Sequence, residues 1–142
     1  MRRGQELEPL ARIAYESRTG NMADEAGIVL TDDRMFGYST DGFVDDDGMI
    51  EIKAPNSSRK IFDLWTTQDF SEYIHQVQGG LWITGRKWCD LCVYTPYLES
   101  INKVQRIHRF TRDDDFIETM EAQLMQFAKR VQQHIEALKE SA

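Results

Sequence analysis

The sequence predicts an α/β fold, a mixed central β-sheet flanked by helices. Three observations predict it. Helix-like and strand-like stretches follow one another as helix, three or four strands, helix, two strands, helix. Asp47-Gly48 stands between two short β-prone runs, which signals a hairpin. A long amphipathic run closes the chain, with Ile117, Met120, Leu124, Phe127, Val131 and Ile135 stepping by three or four.

Taken in order, residues 4–18 read as a helix on the spacing of Leu7, Leu10, Ala11 and Ala14. Pro9 is expected in its first turn, where a missing N–H does least harm. Residues 27–31 and 35–39 read as short strands separated by an Asp32-Asp33 turn. The hairpin follows. On its second strand, alternation puts Met49, Glu51 and Lys53 on one face and Ile50, Ile52 and Ala54 on the other, the apolar face to enter a core. Residues 61–65 read as a short helical turn. Residues 71–84 read as a stronger helix with Gly79-Gly80 in its middle, where small residues let another group come close. Residues 88–94 and 103–111 are strand-like, and 113–138 form the final helix, with Asp113 to Asp115 at its start.

A chain of 142 residues is most simply one domain, and 41% hydrophobic with 29% charged residues is ordinary for a globular one. No run of about 18 apolar residues exists, so no transmembrane helix is expected. The first residues lack the apolar core of a secretory signal. Two cysteines suit a reducing, cytoplasmic setting. Cys89 and Cys92 have CxxC spacing but no second pair and no partner histidine, and they fall in a strand, so they read as buried thiols. His75, His108 and His134 form no ligand set. The net charge of −7 is unexpected for a nucleic-acid protein. Bound metal offsets part of it, and Arg59, Lys60, Arg86, Lys87, Arg106, Arg109 and Arg112, from separate segments, are candidates for a DNA-facing surface.

The chemistry concentrates at Asp41, Glu51 and Lys53. Alternating Glu and Lys on a half-exposed strand usually mean a solvated face. Here the hairpin carries Asp41 towards Glu51, and two acids beside a lysine suit a divalent cation and a positioned water. Asp41 and Glu51 are then the metal ligands, with the Ile52 carbonyl adding an oxygen, and Lys53 orients the water, favours its deprotonated form or offsets charge building on the phosphate. Glu8 reads as a solvated first-turn acid suited to the helix dipole. Tyr73 and Gln76 share one helical face, as a core tyrosine and a surface glutamine or as groups beside a metal site. No Ser/His/Asp set or phosphate-binding glycine loop is present.

Four stretches in order then resemble the PD-(D/E)xK nuclease superfamily, and within it the lambda-exonuclease (YqaJ-like viral recombinase) branch. Gly4-x-x-x-Glu8 looks like that family's G-x-x-x-E helix, and Ser39-Thr40-Asp41-Gly42 like its S-P-D-G turn. Glu51-Ile52-Lys53-Ala54-Pro55 looks like its E-x-K-x-P strand, and Tyr73 to Gln78 like its Y-x-x-Q-x-Q helix. The resemblance implies a restriction-endonuclease-like core and a Mg²⁺-dependent deoxyribonuclease, with Mn²⁺ as substitute. It implies a 5′-to-3′ exonuclease on duplex DNA, working beside a single-strand annealing protein in phage recombination, as a homotrimer in the cytoplasm. By it, Asp41 and Glu51 are metal ligands, Lys53 is the catalytic lysine, Glu8 an accessory acid and Gln76 an active-site polar residue. Thr40 stands where the family has proline. The family's usual region before its first helix is expected to be missing, so that residues 1–142 make a single nuclease domain. An endonuclease or structure-specific nuclease on the same core, and a non-catalytic relic of the fold, are the alternatives.

Overall fold

The computed structural model describes residues 2–141, with side chains from Glu6 onward. The first helix, α1 (Arg2–Thr19), leads to a two-stranded antiparallel ribbon of β1 (Ile28–Leu30) and β2 (Gly37–Ser39). The main sheet has four strands in the order β3 (Gly42–Val44), β4 (Gly48–Lys53), β5 (Trp88–Tyr94) and β6 (Gln105–Thr111). Its outer pairs are antiparallel and β4–β5 is parallel, so the sheet is mixed as expected. Between β4 and β5 run α2 (Ser58–Thr66) and α3 (Ile74–Thr84), the latter entered through a single 3₁₀ turn, Ser71–Tyr73. A second 3₁₀ segment, Pro96–Ile101, links β5 to β6, and α4 (Asp114–Glu140) ends the fold.

Both faces of the sheet are covered, as parallel pairing requires. On one face Met49, Cys89, Leu91 and Val93 pack under Leu64, Phe70, Tyr73, Val77 and Leu81 from the α2–α3 side. On the other, Val44, Ile50 and Cys92 pack against Tyr15 of α1 and Ala23. Each fully buried residue of this size contributes about 1.5–3 kcal/mol. Cys89 and Cys92 are buried free thiols on opposite faces, which follows from their odd spacing along a strand and keeps them from bridging.

Four details depart from the sequence reading. The hairpin turn is the three residues Asp45 to Asp47, because Gly48 already pairs with Val44 in the ladder. Asp45 carries the positive φ of 47°. Gly48 is needed for a different reason. A Cβ there would stand 2.2 Å from the Trp88 ring, so only glycine lets the indole cross the strand. The face holding Met49 and Glu51 is not solvated: both residues are buried, because α3 lies over it. Pro9 sits well inside α1 rather than in its first turn, because the helix starts at Arg2. Finally, α4 buries Ile117 and Met120, whereas Phe127, Val131, Ile135 and Leu138 remain exposed. The apolar stripe is present over the whole helix, but only its beginning, beside α3, is buried.

Candidate active site

The site lies where β4 outruns β3. The β3–β4 ladder stops at Gly42 opposite Ile50, so Ile52 has no strand partner on that side. Asp41, one residue before β3, takes the vacant place: its Oδ2 accepts from the Ile52 amide at 2.6 Å. In a strand, the N–H and C=O of one residue point to the same side. The Ile52 carbonyl therefore faces the Asp41 side as well. Thr40, in the position the family gives to proline, donates its buried hydroxyl to the Ile50 carbonyl at 2.9 Å and so pins the turn to β4.

Glu51 points towards α3. It is 4% exposed and receives three donors. Lys53 Nζ reaches its Oε1 at 2.8 Å, Gln76 Nε2 the same oxygen at 2.5 Å, and the Tyr38 hydroxyl its Oε2 at 2.6 Å. Burial, and then the neighbouring Glu51 charge, push the Tyr38 hydroxyl far up, which keeps it a donor. Tyr38 reaches Glu51 by crossing α3 at Gly80, where a Cβ would come within 2.5 Å of its ring. The close approach expected at the paired glycines is thus made by a tyrosine side chain, at the second glycine only.

Glu8 lies at the rim, half-buried, with its Oε1 3.6 Å from Arg12 Nη2. Arg12 donates to the backbone carbonyls of Ala23 and Asp41, holding the Asp41 turn against α1. Burial drives the Asp41 carboxyl up to about 6. The charge of Glu51 adds to this, the Ile52 amide opposes it, and Glu8 and Lys53 make smaller contributions of opposite sign. Among the described residues, the hydrogen bond given to the Asp41 carboxylate is the one from the Ile52 amide.

The structure brings Asp41, Glu51, Ile52, Lys53 and Gln76 together, with Glu8 nearby. Sequence reasoning missed Tyr38 and Arg12. A usable signal existed for Arg12, which stands four residues after Glu8 on one helical face. No spacing ties Tyr38 to the motif. The proposed basic surface is mostly committed elsewhere: Arg59, Lys60, Lys87, Arg109 and Arg112 each pair with a carboxylate, and Arg86 and Arg106 lie over aromatic rings.

Among the described residues no cluster of three His, Cys, Asp or Glu side chains could enclose a metal ion. The donor set nevertheless fits a hard cation of the Mg²⁺ type, which takes one or two carboxylates and fills its remaining positions with water and substrate phosphate. Asp41, Glu51 and the Ile52 carbonyl supply oxygens only, the ligand atoms such a cation takes.

Residues 1–87 match the model of the YqaJ-like viral recombinase domain. The chain belongs to that family. This YqaJ-like chain is also similar to an alkaline exonuclease from Laribacter hongkongensis, with 38% identity over 98% of this chain and 72% of that one, at a TM-score of 0.88. The complex of that exonuclease with dAMP matches equally, at 38% identity and a TM-score of 0.88. A phage related exonuclease from Haemophilus somnus 129PT shares the fold at 15% identity and a TM-score of 0.77, over 95% of this chain and 71% of that one. No curated protein matches the YqaJ-like chain. Among the described residues no helix is long and apolar enough to cross a membrane.

Proposed function

We propose that this YqaJ-like chain is a divalent-metal-dependent deoxyribonuclease, an exonuclease acting on duplex DNA from its ends. The convergence of Lys53, Gln76 and Tyr38 on Glu51, beside an Asp41 fastened to the next residue's amide, carries that reading. The similarity to the Laribacter alkaline exonuclease, and to its dAMP complex, supports it.

Asp41, Glu51 and the Ile52 carbonyl would hold the ion, with Glu8 as an outer acid. A bound Mg²⁺ supplies a Lewis acid for the phosphate and a water of lowered pKa. Lys53 donates one hydrogen to Glu51 and offers its remaining ones to the attacking water and to the charge that grows on the phosphate. Gln76 and Tyr38 hold the Glu51 carboxylate in one orientation, as partners of a metal ligand do. Arg12 keeps Asp41 in place through the backbone.

A role in phage recombination, with a single-strand annealing protein as partner and a cytoplasmic working place, is part of the same proposal. So is assembly into a homotrimer, which the uncovered apolar stripe of α4 supports. Linear duplex DNA, with and without a 5′-phosphate, is the test, in Mg²⁺, Mn²⁺ or EDTA and beside Lys53→Ala. Shortening from ends in either metal, abolished by EDTA and by the substitution, is expected. Intact DNA in both metals overturns the nuclease, and cutting of covalently closed circles overturns the requirement for an end.

A further inference from the structure

The ring of Tyr73 joins two cations. Lys53 Nζ stands 5.8 Å from its centroid and Lys60 Nζ 5.2 Å. The two ammonium groups can therefore be no farther apart than those lengths laid end to end. Lys60 belongs to α2, which begins five residues beyond Lys53. Ser57 caps that helix by accepting from the Lys60 amide, so the short link from β4 is closed at the residue whose side chain turns back to the site.

Lys60 Nζ also donates to Glu72 at 2.9 Å and interacts with the Tyr73 hydroxyl. Lys60 and Glu72 are 40% and 50% exposed in their side chains. An ion pair this open contributes little and is screened by salt. It leaves the ammonium available to a stronger anion, and a phosphate with charged oxygens is such an anion. What sets Lys60 apart is the Tyr73 ring, a neighbour that it shares with Lys53.

We propose that Lys60 binds the phosphate next to the scissile one on the same strand, with the Tyr73 ring setting the spacing between the two phosphate sites. The inference rests on the nuclease reading and adds a subsite to it. Glu72 acts as the resident anion that the strand displaces, so removing its charge eases entry.

The test is steady-state cutting of duplex DNA at several salt concentrations by the wild type, Lys60→Gln, Lys60→Arg and Glu72→Gln. It includes a duplex in which one linkage beside the scissile bond is an uncharged methylphosphonate. Lys60→Gln is expected to raise KM about tenfold with kcat nearly unchanged. Its salt slope should be shallower by about 0.7–0.9. Lys60→Arg should restore both, Glu72→Gln should lower KM, and the uncharged linkage should impair the wild type but not Lys60→Gln. A wild type that cuts while Lys60→Gln keeps its KM and salt slope overturns the subsite and leaves the nuclease standing. A wild type that cuts nothing overturns both.

Discussion

The two walls of the site hold their carboxylates in opposite ways. On the α3 side, Glu51 is deeply buried yet met by an ammonium, an amide and a phenol. On the α1 side, Asp41 has one backbone amide, two acidic neighbours and an arginine that binds its backbone rather than its carboxylate. The first wall is complete within the protein. On the second, burial and the neighbouring acids raise the carboxyl to about 6. One carboxylate is held by three side-chain donors, and the other by a single backbone amide.

The largest expected effects leave the two walls alike. Asp41→Asn, Glu51→Gln and Lys53→Ala should each lower kcat by roughly 10²–10³ or more, in single-turnover cutting of linear duplex. Equal losses sharpen the assignment of both walls to one site, and a wild-type rate for any of them breaks it.

Next come the supporting groups, and here the walls separate. Tyr38→Phe and Gln76→Ala should cost about 10–100-fold in metal affinity or activity, because each loosens a ligand without removing it. Arg12→Gln should fall in the same range through the Asp41 turn. Mn²⁺ titration followed by calorimetry distinguishes these from loss of folding.

Acidity gives the third contrast. Below about pH 6 a cation must displace a proton from Asp41, so apparent metal affinity should fall by about tenfold per pH unit. Asp41→Asn should abolish that slope. A slope of the same steepness in the variant would move the titrating group elsewhere.

The smallest effect has opposite signs on the two walls. Asp41 has a folded value above its ordinary 3.8, so its stabilising contribution is full below that value and is lost as pH rises through about 6. Without metal at pH 7, Asp41→Asn should therefore raise Tm by a few degrees. Glu51→Gln should lower it, since its charged hydrogen bonds contribute about 1.5–3 kcal/mol. Thermal melts in EDTA measure both, and a shared sign would erase the distinction between the walls.

The grouping of Asp41, Glu51, Lys53 and Gln76 was readable in the sequence because motif spacing survives in one dimension. The mixed sheet was readable from the order of its elements. Tyr38 and Arg12 were not, since they join the site only through tertiary contact: one passes over Gly80, the other reaches from a separate helix. Met49 was placed on a solvated face because alternation reports which residues share a face and not whether a helix covers it. The stripe of α4 failed the same way, as periodicity showed the apolar side and was silent on how far its cover extends. Asp47-Gly48 marked the hairpin correctly, but the glycine answers to Trp88 and the turn is made by its neighbours.

The parallel pairing of β4 with β5 has a kinetic consequence. Parallel neighbours need a long crossover, and closing it is a slow, entropically costly step in folding. That crossover carries Tyr73 and Gln76, so the event that zips the sheet is the one that delivers Gln76 to Glu51. Asp41 and Glu51 come from neighbouring segments that the local hairpin joins. A nascent or partly unfolded chain would thus own both acids and lack the Gln76 amide that meets one of them. The full set of donors around Glu51 would be complete only with the finished fold.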